Sequence, residues 1–218
     1  MIDDPVGRAA PLNMAIDEAL LGEASQPVLR FYRWSEPSVS FGYFGPFEEA
    51  KRFAGERAAV RRWTGGGIVP HGEDLTYSLV IPVSDAVSKT PPREIYRRVH
   101  EAIAAALRMA GIESALAALN APKITDSCFA NPVIADVMES GRKIAGAAQR
   151  RTRAGLLQQG SIQRSDLDQR FRQNFVRGLS NRVQEKELPS SVLREAEELA
   201  VQKYATEAWL RRRRRVQL

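Results

Sequence analysis

Three consecutive glycines, Gly65, Gly66 and Gly67, lie between two runs of strand character and constrain this chain more than any other feature. Glycine adopts backbone dihedrals closed to other residues and lets a ligand or a second backbone approach closely. The flanking runs, Ala58 to Trp63 and Leu75 to Ile81, are rich in branched and aromatic residues, which suit a pleated, half-buried surface. Their connection is far longer than a tight hairpin needs, so the strand pair carries a built loop. Arg61, Arg62 and Thr64 lead into the turn; His71, Tyr77 and Ser78 follow it. Guanidinium groups resist deprotonation and can bind two oxygens at once, which would suit a phosphate, a carboxylate or a phosphopantetheine arm. A glycine-rich surface loop with solvated arginines fits the same letters, and both readings stay open at this level. No Gly-Lys-Ser or Gly-Lys-Thr follows and no GxGxxG is present, so nucleotide folds built on those turns lose support.

Along the rest of the chain the elements segregate. Asn13 is expected to cap a helix over Met14 to Leu21, ended by Gln26 and Pro27. Strand runs follow at Val28 to Trp34 and Ser38 to Phe44. A helix opening at Pro91 and Pro92 carries an apolar face of Ile95, Val99, Ile103, Ala106 and Leu107 and closes at Gly111. After a loop through Asn120, Pro122, Cys128 and Pro132 come strands at Lys143 to Arg150 and Gly155 to Gln163. Helices over Leu167 to Leu179 and Val192 to Tyr204 finish the pattern, with a short segment to Trp209. Without a βαβα alternation, the expectation is an α+β fold with a mixed, largely antiparallel sheet flanked by helices. No repeat or low-complexity linker divides the 218 residues, so one domain over 1–218 is expected.

A second constellation runs from Gly141 to Arg151 and on through Gly155 to Ile162. The small residues Ala145, Gly146, Ala147 and Ala148 leave room beside a sheet, where a long thin acyl chain, or equally a close-packed helix, could lie. Lys143 heads the segment and could point at a substrate carbonyl or carboxylate, although a lysine is more often solvated. Cys128 sits in a polar, proline-bearing loop. Free cysteines often behave as small buried hydrophobes, yet a thiol among polar neighbours can be reached, and a nearby lysine cation would raise its thiolate fraction. Of the two histidines, His71 helps to shape a pocket beside the turn, and His100, in mid-helix, is expected at the surface or its boundary. One Cys and two distant His give no metal-ligand spacing, so no metal is expected.

The bulk properties narrow the class. With 44% apolar and 27% charged residues, the chain is neither disordered nor membrane-spanning in composition. The N-terminal sequence lacks the pattern of a secretory signal and a lone cysteine suits a reducing compartment, so the cytoplasm is expected. A formal net charge of +6 steers the protein towards acidic partners. The run Arg211 to Arg215 reads as a solvated tail, and without interleaved aromatics no nucleic-acid partner is expected.

Taken together, these stretches resemble the catalytic domain shared by lipoate-protein ligases, octanoyltransferases and biotin-protein ligases. The resemblance rests on Asn13 to Leu20, Leu29 to Trp34 and Ser40 to Phe44, then the Arg-Arg-x-Thr-Gly-Gly-Gly turn. The Lys-x-x-Gly-x-Ala-Gln strand and the closing Lys203, Tyr204 and Trp209 complete it. The stretches His71 to Ser78 and Ser127 to Phe129 look most like the cysteine-dependent octanoyltransferases that share the ligase-like fold. The resemblance implies Cys128 as nucleophile and Lys143 as its electrostatic partner. It also implies an acyl tunnel walled by Gly65 to Gly67 and by Gly146, Ala147, Ala148 and Gln149, with Gly160 on the neighbouring strand. Octanoyl-acyl carrier protein would be the donor. The acceptor would be a lysine of a lipoyl-domain protein, such as glycine cleavage H protein or a 2-oxoacid dehydrogenase E2 subunit. Transfer from a thioester implies no cofactor; an ATP-dependent lipoate-protein ligase, with ATP and Mg, is the alternative. Such ligases commonly carry a C-terminal accessory domain, which is not expected here. A non-catalytic module binding lipoyl domains or nucleic acid is the third reading, and the presence of both Cys128 and Lys143 counts against it.

Overall fold

Two strands buried along their whole length, β6 (Leu75–Pro82) and β10 (Gly155–Ile162), pair antiparallel at the middle of the fold. Strands covered on both faces need near-continuous runs without exposed charge, and both sequences meet that need. The computed structural model describes residues 1–120 and 131–212. Pro122, the Ser127 to Phe129 stretch with Cys128, and Arg213 to Arg215 lie outside the described residues.

Among the described residues the strands form two sheets. The larger has seven strands; β6 and β10 are flanked on one side by β2 (Val28–Trp34) and β1 (Ile2–Arg8). On the other side lie β9 (Arg142–Arg151), β8 (Val137–Glu139) and β7 (Ala115–Leu116). Only the β1/β2 pairing in this sheet is parallel. The smaller sheet places β3 (Ser38–Phe41) between β4 (Ala58–Arg61), parallel to it, and β5 (Val69–His71), antiparallel. The α+β expectation, with a mixed and largely antiparallel sheet, is met.

Side chains alternate across a strand, and here each face has its own cover. Leu29, Phe31, Tyr77, Leu79, Leu156 and Ile162 pack against α3 (Pro92–Met109) and α4 (Gln169–Leu179). Tyr32, Val80 and Leu157 meet α1 (Ala10–Glu23), α5 (Ser190–Leu199) and a π-helical turn at Ala200–Tyr204. The apolar face read for α3, from Ile95 to Leu107, is buried as expected. Asp168 caps α4 by accepting from the Phe171 amide. Two short helices, α2 (Phe47–Ala54) and α6 (Glu207–Leu210), close over the smaller sheet and the C-terminal end. No helix among the described residues is long and apolar enough to cross a membrane.

Several boundaries differ from the sequence reading, each for a physical reason. Helix α1 starts at Ala10 with proline in its first turn, where the missing amide hydrogen costs nothing, so Asn13 lies inside the helix rather than at its cap. Its side chain instead donates to the carbonyls of Arg8 and Arg33. The strand read as Ser38 to Phe44 stops at Phe41. Strand β1 escaped notice because Pro5 and two aspartates interrupt it; it is an edge strand with an irregular register between Asp4 and Gly7, where proline is tolerated. His100, expected near the surface, is fully buried.

Candidate active site

The glycine turn is braced from inside by its own arginine. Arg62 donates through Nη2 to the carbonyls of Gly65 and Gly67, both at 2.9 Å, and through Nη1 to Ser40 Oγ at 2.7 Å. Thr64 Oγ1 donates to Gln159 Oε1 at 2.8 Å, and Gln159 Nε2 donates to the buried Asp17 at 2.7 Å. Asp17 also accepts from Ser78, Tyr32 and Arg30, so α1, β2, β6 and β10 are knotted under the turn by one carboxylate. Gly42 makes the close approach possible: a Cβ there would collide with the backbone of Gly65 and Gly66. Strand β3 ends here because the chain turns, the Gly45 amide donating to the Gly42 carbonyl at 2.9 Å.

Ser40, His71 and Asp74 stand in the order of a hydrolytic triad. Ser40 Oγ is 2.6 Å from His71 Nε2, and His71 Nδ1 is 2.8 Å from Asp74 Oδ2. Burial works against ionisation of Asp74, but His71 and the hydroxyls of Ser161 and Thr76 together bring its pKa below the usual value. Ser40 is nevertheless wholly buried and its oxygen already accepts from Arg62. The chain Arg62, Ser40, His71, Asp74, Ser161 therefore acts as a strut between the turn and β10, with His71 stacked on Trp34 at 4.1 Å.

A narrow slot of about 30 Å³ opens under this strut, between Met14, Trp34, Arg62 and His71 on one side and Gly146, Ala147, Ala148 and Gly160 on the other. A volume this small admits little beyond water, so a longer guest requires Met14 or its neighbours to move. Beyond Gly146 the same two strands border an open cavity of about 660 Å³, lined by Lys143, Ile144 and Gln163 with Glu139, Arg142 and Arg164. Lys143 belongs to the open cavity and its side chain lies over Gly146, which belongs to the slot.

Lys143 is held there by an unforeseen residue. Its ammonium is 2.8 Å from Asp136 Oδ2, with both side chains almost completely buried. Asp136 also accepts from the Tyr96 hydroxyl at 2.5 Å and from the Val133 amide at 2.7 Å. Burial is the largest cause, ahead of the Asp136 charge, of a Tyr96 pKa driven far above its ordinary value, so the phenol stays protonated and donating. A buried ammonium needs a hydrogen-bonded counter-charge, and Asp136 supplies it.

The residues singled out from sequence are thus partly assembled. Arg62, His71, Gly146, Ala147, Ala148 and Gly160 meet at the slot, with Lys143 at its end. Thr64 and Ser78 serve the Asp17 knot. Arg61 points away: it donates to the carbonyls of Tyr43, Gly45, Trp209 and Leu210 at 2.7–2.9 Å and fastens α6 to the body. Gln149 and Tyr77 project to the opposite face, where Gln149 donates to Gln158, Gln158 donates to Tyr77, and Tyr77 packs on Phe175. Cys128 lies outside the described residues. No group of three or more metal-ligating side chains occurs among the described residues.

Comparison with known proteins bears on this arrangement. The chain matches the lipoyl protein ligase A/B catalytic domain over residues 9–204. Octanoyltransferase LipM of Oceanobacillus iheyensis is 39% identical over 163 residues, covering 70% of this chain and 59% of that protein. Octanoyltransferase LipM of Geobacillus kaustophilus is 35% identical over 192 residues, covering 80% and 68%. The chain therefore spans only about three fifths to two thirds of these relatives. A T. acidophilum structure assigned as a lipoate protein ligase, with bound lipoic acid, superposes with a TM-score of 0.75 at 25% identity, over 95% of this chain and 97% of that one. Since the family match takes in the glycine turn, the slot and the Lys143 strand alike, this chain belongs to the lipoyl protein ligase A/B catalytic-domain family.

Proposed function

We propose that the protein is an octanoyltransferase of protein lipoylation that works through an acyl-cysteine intermediate. The observation that carries this reading is the packing of the buried, Asp136-paired Lys143 side chain over Gly146, one of the residues that wall the slot with Ala147 and Ala148. Relatives named octanoyltransferase over most of this chain support it. In the first step the Cys128 thiolate attacks the carbonyl carbon of octanoyl-acyl carrier protein. A tetrahedral oxyanion forms, the bond to the carrier sulfur breaks, and the carrier leaves as a thiol after taking up a proton. In the second, a neutral lysine amine of a lipoyl domain attacks the new thioester, an amide forms, the amine loses a proton to solvent and the Cys128 thiolate returns. The thioester is already activated, so neither step draws on ATP or metal. The enzyme supplies proximity and charge stabilisation, and the Lys143 ammonium is the group that faces the developing negative charge.

The acceptor would be a lipoyl domain of the glycine cleavage H or dehydrogenase E2 type, and the compartment the cytoplasm. The net charge of +6 favours an acidic carrier as donor. A ligase reading draws on the shared fold with the T. acidophilum protein, in which Lys143 would face an acyl-adenylate and Cys128 would be incidental. Incubation with octanoyl-acyl carrier protein in the absence of ATP separates the two. The transferase reading requires an octanoyl-sized mass gain that hydroxylamine removes and that Cys128→Ala abolishes. Failure to form it, with octanoate plus ATP modifying a lipoyl domain equally well in Cys128→Ala, establishes the ligase instead.

A further inference from the structure

We propose that Tyr96 and Asp136, braced by His100, are positioning residues that hold the Lys143 ammonium at the mouth of the acyl slot. This inference rests on the transferase reading above and adds residues that no sequence motif singles out.

The device is built from three pieces of backbone. Helix α3 presents Tyr96 and His100 one turn apart, the tyrosine ring edge-on to the imidazole with centroids 4.1 Å apart. His100 Nδ1 is 2.7 Å from the carbonyl of Ala135 and donates to it, which leaves Nε2 bare and without a hydrogen-bond partner among the described residues. Ala135 sits at φ 70°, in the left-handed region that a non-glycine residue enters at a cost. Its amide donates to the Ala117 carbonyl at 2.9 Å, so both polar groups of this strained unit are tied down. The following residue is Asp136, and the turn at Ala135 sets the direction in which its carboxylate enters the core. Strained backbone of this kind persists only where its surroundings hold it, and it concentrates at functional sites.

The carboxylate then works in two directions. One oxygen takes the Lys143 ammonium and the Val133 amide; the other takes the Tyr96 hydroxyl. The Tyr96 oxygen in turn accepts the Ala147 amide hydrogen at 3.3 Å, which ties Asp136 to the backbone of the slot wall itself. Strand β8 pairs with β9 only as far as Ala145, so the Ala147 amide faces Tyr96 where a further strand residue would otherwise stand. The position of the Lys143 ammonium is thereby fixed relative to the Ala147 backbone. Gly146 completes the fit. A Cβ at that position would lie 2.5 Å from Lys143 Cε and 2.7 Å from Nζ, so the lysine can lie along the strand only over a glycine.

A buried ion pair is weak evidence for stability, because a well-packed apolar pair of similar volume is often as stable. Holding one at a cavity edge, with a strained backbone and a glycine made to fit it, is expected where the charge must stand at a set point. A positioning error of an ångström at a reacting centre costs rate far more than it costs binding.

The test is single-turnover acylation of the full chain by octanoyl-acyl carrier protein, comparing wild type with Tyr96→Phe, Asp136→Asn and Gly146→Ala and recording thermal melts alongside. Tyr96→Phe keeps the ring against His100 and loses only the hydroxyl. It is expected to lower the maximal acylation rate about tenfold, while the donor concentration at half-saturation changes less than about threefold and the melting temperature falls by no more than about 10 °C, the cost of two buried partners losing the hydroxyl. Gly146→Ala and Asp136→Asn, if folded, are expected to lose about a hundredfold or more in rate. Should either fail to fold, Tyr96→Phe decides alone. Wild-type rates in Tyr96→Phe, or a loss confined to half-saturation, overturn the positioning role while the transferase reading stands. Absence of an adduct in wild type itself overturns that reading and this inference together.

Discussion

Lys143 lies over Gly146 because residue 146 has no side chain: a Cβ there would stand 2.7 Å from the lysine nitrogen. One absent methyl group thus lets the buried ammonium paired to Asp136 rest beside the small-residue slot.

Removing one partner of that pair and removing both are expected to differ sharply. Asp136→Ala leaves a buried ammonium without its carboxylate and is expected to cost about 3–5 kcal/mol in urea unfolding. The double replacement Asp136→Asn with Lys143→Met removes both charges while keeping an acceptor for the Tyr96 hydroxyl and the Val133 amide, and is expected to unfold within about 2 kcal/mol of wild type. A double variant as unstable as the single one would mean that the charges serve the fold rather than the site.

His100 gives a pH dependence with a definite sign. Burial, the largest cause, lowers its pKa from 6.5 to about 4. The unfolded chain binds the proton first, so the stability tied to neutral His100 is fully present above pH 6.5 and is lost as the pH falls from there towards about 4. The loss is on the order of 3 kcal/mol at the low end. Melting temperatures measured from pH 7.5 to 4 on wild type and His100→Gln should converge in slope only if His100 is not the group responsible.

Arg61 fastens the C-terminal helix through backbone carbonyls, and the Trp209 indole returns a bond to the Arg61 carbonyl at 3.0 Å. Arg61→Met is expected to destabilise the chain by about 2–4 kcal/mol, because several buried carbonyls lose a charged donor at once. Hydrogen exchange should rise first over Glu207–Leu210. Unchanged protection there would show that α6 is held by its aromatic contacts instead.

How much of this was legible in the sequence follows from where the information is local. The period of α3 and the apolar runs of β6 and β10 are properties of short windows, so those elements were read nearly to the residue. The glycine turn and Lys143 announced themselves by residue type. The carbonyl bonds of Arg61 and Arg62 did not, since an arginine that binds backbone carbonyls and one that binds a phosphate have the same letter. Asp136 and Tyr96 were invisible for a different reason: they meet across 40 positions of chain, and no spacing rule joins a helix to a residue just ahead of a short strand. Ser40, His71 and Asp74 were scattered likewise, although the three-residue step from His71 to Asp74 was a local hint.

The close approach of Gly42 to the glycine turn is testable by the smallest substitution. Gly42→Ala would drive a methyl group into the Gly65 and Gly66 backbone, which Arg62 braces through the Gly65 and Gly67 carbonyls. A cost of about 3 kcal/mol or more is expected in denaturant unfolding, against about 1 kcal/mol or less for Gly65→Ala, where a Cβ meets nothing within 4 Å. Equal tolerance at both positions would contradict the packing described.

The most direct measurement is a chase. Enzyme carrying isotope-labelled octanoate is freed of donor and nucleotide and mixed with a lipoyl domain, and label is followed on both proteins by intact mass. The expected result is loss of label from the enzyme matched by its gain on the acceptor lysine, in one turnover and without ATP. An acceptor that stays unmodified until ATP is added would contradict the transfer mechanism.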